Sequence, residues 1–231
     1  MKKFLPAILW STLYFSISNA SLASLPPNNQ LVEDQSTGFS VQPGFEVDLV
    51  YKVDNSKYGS WIAMAFDHKG RLVVSDQDKA GTFIIDLPPV GETLQESMIK
   101  KLPLESSWRG MLFAFDHLYM CAQNRVVRVP VSPEGESGEM EKLFDQGPGG
   151  EHGPHSLIVT EDGKGLYLVA GNFSKNPPFE KSRIRTNWKD DVLLENYAYG
   201  HNGNGKAPGG WVLKFNPDGT ERELINMGYR N

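Results

Sequence analysis

Residues 61–76 decide the fold, and they read Trp-Ile-Ala-Met-Ala-Phe-Asp-His-Lys-Gly-Arg-Leu-Val-Val-Ser-Asp. Two apolar, β-branched and aromatic segments flank a central Asp-x-x-Gly, which predicts two strands joined by a tight turn. Similar units recur at residues 111–120 and 156–171. The turn aspartate repeats at intervals of 49 and 46 positions, as Asp67, Asp116 and Asp162. The sequence is therefore a repeat of β-units.

A second pair of predicted strands follows each of these units, at residues 82–86 and 99–102, 125–129 and 141–144, and 211–215 and 223–225. Four strands with a period in the forties are typical of a β-propeller blade. We therefore predict an all-β fold, a β-propeller of about three four-stranded blades. The blades span roughly residues 45–103, 104–146 and 147–227, and the third carries an insert at 173–209.

Three blades do not close a propeller, because the two end blades would expose apolar sheet faces. No strand is predicted in the closing residues Gly228-Tyr229-Arg230-Asn231. We therefore expect an N-terminal fragment of a larger propeller, or one half of an assembly.

The N-terminus has the order of a secretory signal. Two lysines precede a mostly apolar run at residues 4–17, and small residues follow at 18–23. This order predicts cleavage after residue 20 or 23 and export to the periplasm or the cell exterior. An N-terminal anchor helix is the alternative. The predicted organisation is a signal peptide at 1–23, a leader at 24–43 and a partial propeller at 44–231.

Composition argues against nucleic acid as a partner. The chain has 23 Lys and Arg against 28 Asp and Glu, a net charge of −5, and nucleic-acid binding depends on a basic surface. Cys121 is the sole cysteine and lies in an apolar stretch, so we predict a core thiol rather than a nucleophile. No Cys-x-x-Cys-His motif is present to hold a c-type haem.

Two segments carry candidate chemistry. Glu151-His152-Gly153-Pro154-His155 precedes the innermost strand of the third blade, near the propeller axis. A histidine there is a candidate general base or metal ligand, and the alternative for His152 and His155 is a role in capping loops. Arg109 enters the second blade in the same way. It is either an anion-binding residue or a structural arginine of the channel.

Three stretches resemble the soluble quinoprotein glucose/sorbosone dehydrogenases, as found in exported bacterial proteins called membrane-bound dehydrogenase-domain proteins. They are His152 with residues 157–172, residues 209–219, and Gly228-Tyr229-Arg230-Asn231. The resemblance covers about residues 44–231 and implies a six-bladed propeller that binds pyrroloquinoline quinone (PQQ), with calcium as a further ion.

The resemblance also implies roles for individual residues. His152 would be the general base that removes the hydroxyl proton of a sugar or other alcohol, and Arg230 and Asn231 would contact PQQ. Arg109 stands roughly where the family has a cofactor-contacting glutamine, so its contact with the cofactor is a departure from the pattern. The implied electron acceptor is a partner such as a cytochrome c domain. We expect His152, Arg230 and Arg109 to face one axial cavity.

Two other functions remain open. A calcium-dependent lactonase-like hydrolase would need an axial set of Glu, Asn and Asp ligands, and these three blades offer no convincing metal set. A non-catalytic recognition propeller would present the insert at 173–209 to a partner or polysaccharide.

Overall fold

The computed structural model describes residues 32–33, 38–132, 134–146, 152–185 and 209–229. The chain divides into two units, Met1–Leu49 and Val50–Asn231. In the first unit, strands β1 (Val32–Glu33) and β2 (Ser40–Val41) pair in antiparallel fashion.

The second unit consists mainly of three antiparallel sheets. Its helical segments within the described ranges are α1 (Asn55–Tyr58) and a 3₁₀ turn at Glu96–Met98, and neither is long and apolar enough to cross a bilayer. The strands of the first sheet are β3 (Trp61–Phe66), β4 (Leu72–Asp76), β5 (Thr82–Ile85) and β6 (Ile99–Leu102). Those of the second are β7 (Gly110–Ala114), β8 (His117–Cys121), β9 (Arg125–Pro130) and β10 (Glu141–Asp145). The third contains β11 (Pro154–Val159), β12 (Leu166–Ala170), β13 (Lys181–Ser182), β14 (Trp211–Phe215) and β15 (Glu223–Met227).

These sheets confirm the predicted propeller blades. Each has four strands in sequential antiparallel order, with the first strand at one edge and the fourth towards the other. The third sheet has an addition that the sequence did not predict, because β13 pairs in parallel with β15 and forms a fifth strand. This strand belongs to the segment predicted as an insert.

Apolar side chains between neighbouring sheets hold the blades together. One buried cluster joins blades 1 and 2 and contains Val73, Ile84, Trp108 and Leu118. A second cluster joins blades 2 and 3. Full burial of one such side chain is worth about 1.5–3 kcal/mol. The apolar residues of the strands thus form two inter-blade cores.

The first strand of each blade is the innermost, since β3 contacts β7 and β7 contacts β11. In blade 1, part of the innermost strand β3 is not covered by other residues. Tyr58 and Leu94 lie in the buried cluster on the face of this sheet that carries Val74, yet Met64 and Phe66 on β3 are 62% and 59% exposed. Apolar side chains therefore remain accessible at the inner edge of the first blade.

Candidate functional site

The starting ends of the three innermost strands converge. Ser107, just before β7, donates its backbone N–H to the carbonyl of Asp76 (2.7 Å), and Asp76 pairs with Trp61 at the start of β3. On the other side, a Cβ on Gly110 would lie 2.4 Å from the carbonyl oxygen of His155. The beginnings of β3, β7 and β11 are therefore neighbours, and this end holds two of the predicted site residues, Arg109 and His152.

His152 is held in a defined orientation in the turn that precedes β11. Its Nδ1 lies 2.9 Å from Oδ1 of Asn172, and its ring stacks on Phe173 with centroids 4.3 Å apart and an interplanar angle of 22°. An amide oxygen only accepts hydrogen bonds, so Nδ1 is the donor. A neutral imidazole bonded in this way carries its lone pair on Nε2, the arrangement that a general base requires.

Asn172 is the hydrogen-bond partner of His152 that the sequence did not single out. It is 6% exposed, and it follows β12, the strand that pairs with β11. Backbone bonds hold the two segments together, from Gly171 N–H to the Gly153 carbonyl (3.2 Å) and from Phe173 N–H to the His152 carbonyl (3.3 Å). The signal for this contact was a polar residue two positions after the end of β12, within the stretch that resembles the dehydrogenases.

His155 makes the contact expected of a loop-capping residue. Its Nδ1 lies 2.8 Å from the carbonyl oxygen of Gly153, two residues earlier. A carbonyl only accepts, so this nitrogen donates and the imidazole fixes the entry into β11. The ring is half-buried, which matches the structural alternative for this residue.

The segment that carries Arg109 is fixed on both sides. Fully buried Trp108 precedes it, and its own N–H donates to the Cys121 carbonyl at 2.9 Å. Ser107 has a φ of 65°, a left-handed conformation that is uncommon outside glycine, and its Oγ donates to the Gln77 carbonyl at 2.5 Å. Arg109 is therefore presented from a rigid linker at the same end as His155. Arg230, Asn231 and Glu151 lie outside the described residues.

Asp76 stabilises this end of blade 1. Its carboxylate is buried and accepts backbone N–H bonds from Ser60 (2.7 Å), Asp78 (2.9 Å) and Ala80 (2.7 Å). Burial alone would raise the pKa of Asp76, but these hydrogen bonds outweigh it and hold the pKa below its usual value. A carboxyl with a depressed pKa stabilises the fold above its unfolded pKa of about 4, and this contribution is lost as the pH falls through the folded value.

Replacing Asp76 with alanine should lower the free energy of unfolding by roughly 1–3 kcal/mol at pH 7, because three part-buried backbone N–H groups lose their acceptor. The difference from the parent should begin to shrink below about pH 4, where the Asp76 carboxylate of the unfolded parent takes up a proton, and it should be lost as the pH falls through the lower folded pKa. Urea unfolding at pH 7 and pH 3 measures both effects. Asp78→Ala, two residues away and exposed, is the matched control. An equal loss in the two variants would contradict the capping role.

Cys121 is a core residue, as predicted. It is fully buried, and burial raises the pKa of its thiol to about 12. A thiol with this pKa is not ionised near neutral pH, so it does not supply a nucleophile.

No family model matches this sequence, and no curated protein is significantly similar to it. The fold is shared with a calcium structure of the Carbohydrate-Active Enzymes family AA12 from Trichoderma reesei, at 13% identity and a TM-score of 0.52, over 75% of this chain and 42% of that one. This likeness shows the propeller fold.

Two further solved structures are similar at lower TM-scores. The PQQ-bound aldose sugar dehydrogenase from Streptomyces coelicolor has 19% identity and a TM-score of 0.46, over 74% of this chain and 51% of that one. The holo form of the pyranose dehydrogenase PQQ domain from Coprinopsis cinerea has 10% identity and a TM-score of 0.47, over 71% and 36%. The chain thus spans between about a third and a half of the length of the proteins it resembles.

Proposed function

We propose that this chain forms part of a PQQ-dependent dehydrogenase-like propeller that oxidises a sugar or another alcohol. The observation that carries the proposal is the pair His152–Asn172, which orients an imidazole at the starting end of the innermost strands. The resemblance of residues 152–172 to the quinoprotein dehydrogenases gives this imidazole its role. The shared propeller fold is compatible with that role.

The residues at this end suit an acidic cofactor. Arg109 is a permanent cation on a fixed linker, and guanidinium groups bind carboxylates through charge-assisted hydrogen bonds. In the proposal, His152 supplies the base at the same end of the innermost strands. When bound, PQQ supplies the hydride acceptor. We assign no calcium ligand, and within the described ranges no group of three or more His, Cys, Asp or Glu side chains is arranged to hold a metal ion.

In this proposal the protein's own residues perform the acid–base step. Nε2 of His152 accepts the proton of the substrate hydroxyl, while Asn172 keeps Nδ1 protonated and the ring fixed. The stacked ring of Phe173 limits rotation of the imidazole. Arg109 binds a carboxylate of the cofactor, and Arg230 and Asn231 are proposed as further contacts. Positioning a base and a cation in one cavity lowers the entropic part of the barrier.

The remaining parts of the proposal concern the longer protein. We propose that residues 1–23 direct export to the periplasm or the cell exterior, and that 24–43 form a leader before the propeller. Further blades, bringing the propeller to six, would cover the exposed apolar side chain of Met64. A cytochrome c domain or an equivalent carrier would then accept the electrons.

The cofactor assignment is tested by binding. In the complete protein, Arg109→Ala should weaken PQQ affinity by roughly 10–100-fold, because hydrogen bonds to a charged group are lost. Titration followed by tryptophan fluorescence measures the dissociation constant. Arg183→Ala is the control, since Arg183 is an exposed arginine paired with Glu223. Absence of saturable PQQ binding to the parent would overturn the proposed function, and equal affinity of the two variants would remove Arg109 from the site.

A further inference from the structure

A cleft of about 510 Å³ lies at the far ends of the innermost strands, away from Arg109 and His155. It is bounded by the end of β3 and the β3–β4 turn on one side, and by the β7–β8 hairpin on the other. Its lining includes three phenyl rings and four polar side chains, namely Phe66, Phe113, Phe115, Asp67, His68, Asp116 and His117. Nothing in the proposed oxidation uses these residues.

The polar side chains of this cleft act mainly as hydrogen-bond acceptors. Nδ1 of His117 lies 2.6 Å from the Phe115 carbonyl, so this nitrogen donates and a neutral ring carries its lone pair on Nε2. The neighbouring carboxylate of Asp67 is neutralised by Arg71 at 2.6 Å. Among the described residues, Asp116 has no side-chain hydrogen bond or ion pair and is exposed. The cleft therefore carries one unbalanced negative charge.

The loop of the β7–β8 hairpin, which presents these groups, does not contain the residue types that favour a two-residue turn. Phe115 and Asp116 are its two loop residues, with φ values of 50° and 58°. Two-residue hairpins with both residues in this region favour Asn-Gly, and a left-handed residue with a Cβ costs about 1–2 kcal/mol. Phe115 packs edge-on against Tyr119, with centroids 6.3 Å apart. A phenyl ring and a free carboxylate are thus held at the cleft despite this cost.

We propose that this cleft binds an organic ammonium ion. A cation gains from the faces of the phenyl rings, its N–H groups match the acceptors on Asp116 and His117, and its charge balances Asp116. No Lys, Arg, Asn, Gln or Trp side chain is among the described residues of the lining. The cleft therefore offers few donors to a neutral sugar and repels an anion. This proposal is independent of the oxidation site at the opposite end of the strands.

The test uses three ligands of similar shape. The full chain is titrated with benzylammonium, benzyl alcohol and benzoate by calorimetry at low ionic strength, and glucose is added as a fourth ligand. Benzylammonium should bind roughly 5–30-fold more tightly than benzyl alcohol, which is the range expected for cation–π and charge contributions. Benzoate and glucose should bind more weakly than both. Equal or tighter binding of benzyl alcohol, benzoate or glucose would overturn the proposal, as would no saturable binding of benzylammonium.

Variants then locate the binding. Asp116→Asn should reduce benzylammonium affinity to that of benzyl alcohol. The double variant Phe115→Asn, Asp116→Gly should lose binding while raising the melting temperature, because it installs the favoured turn residues; this excludes misfolding as the cause. Asp145→Asn is the control, since Asp145 is exposed on the outermost strand β10 and pairs with Lys142. Unchanged affinity in Asp116→Asn would show that the cleft is not the site.

Discussion

Replacing His152 with alanine should lower the quinone-dependent oxidation of an alcohol by roughly 10²–10⁴-fold, which is the usual contribution of a positioned general base. The loss is expected in kcat, because the base acts on the bound substrate and not on cofactor affinity. The measurement uses the complete protein with added PQQ and an artificial electron acceptor. PQQ affinity, measured in parallel, should stay within about two-fold of the parent.

Asn172→Ala provides a graded comparison. It keeps the imidazole and removes the acceptor that orients it, so a smaller loss of roughly 10–100-fold is expected. If His152→Ala oxidises the alcohol as fast as the parent, the dehydrogenase assignment of this residue is wrong. If His155→Ala alone abolishes oxidation, the base is the other imidazole of the same segment.

The blades were predictable because their signal is local. The alternation around Asp67 and around Asp162 specifies a hairpin within sixteen residues, and repetition of that hairpin specifies a propeller. The strands formed close to the predicted positions. The fifth strand, β13, was not predictable, because two residues carry no periodicity and their pairing depends on the outer edge of a sheet already formed.

The site was predictable only in part. His152 was a candidate from its place before an inner strand and from a resemblance, whereas its partner lies twenty positions later. Nothing in the pattern of residues indicates which polar side chain will meet an imidazole across two strands. The linker at Ser107 shows the same limit, since its left-handed conformation depends on hydrogen bonds to blade 1. Packing between blades, rather than the local secondary-structure propensity of the residues, determines these contacts.

Replacing Gly110 with alanine should be the most destabilising single-methyl change in the described part of blade 2. A Cβ there would lie 2.4 Å from the oxygen and 2.7 Å from the carbon of the His155 carbonyl, and 2.8 Å from Sγ of Cys121. The nearest atoms are backbone of β11, so a change of rotamer does not relieve the contact. Relief requires blades 2 and 3 to part, which opens the buried cluster around Leu157 and Tyr119.

Such overpacking costs about 3 kcal/mol, and a loss of that size lowers the melting temperature by about 6–12 °C in a chain of this length. Differential scanning calorimetry measures this change in melting temperature.

Gly163→Ala is the control, because Gly163 has a φ of 67° and no atom within 4 Å of an added Cβ. Only the backbone strain of about 1–2 kcal/mol therefore applies. Adding Cys121→Ala to Gly110→Ala should not restore stability, since the carbonyl contact remains. The separation of blades should also weaken PQQ binding, because Arg109, the proposed cofactor contact, directly precedes the displaced residue. A Gly110→Ala protein that melts no lower than Gly163→Ala would show that the two innermost strands do not meet at this glycine.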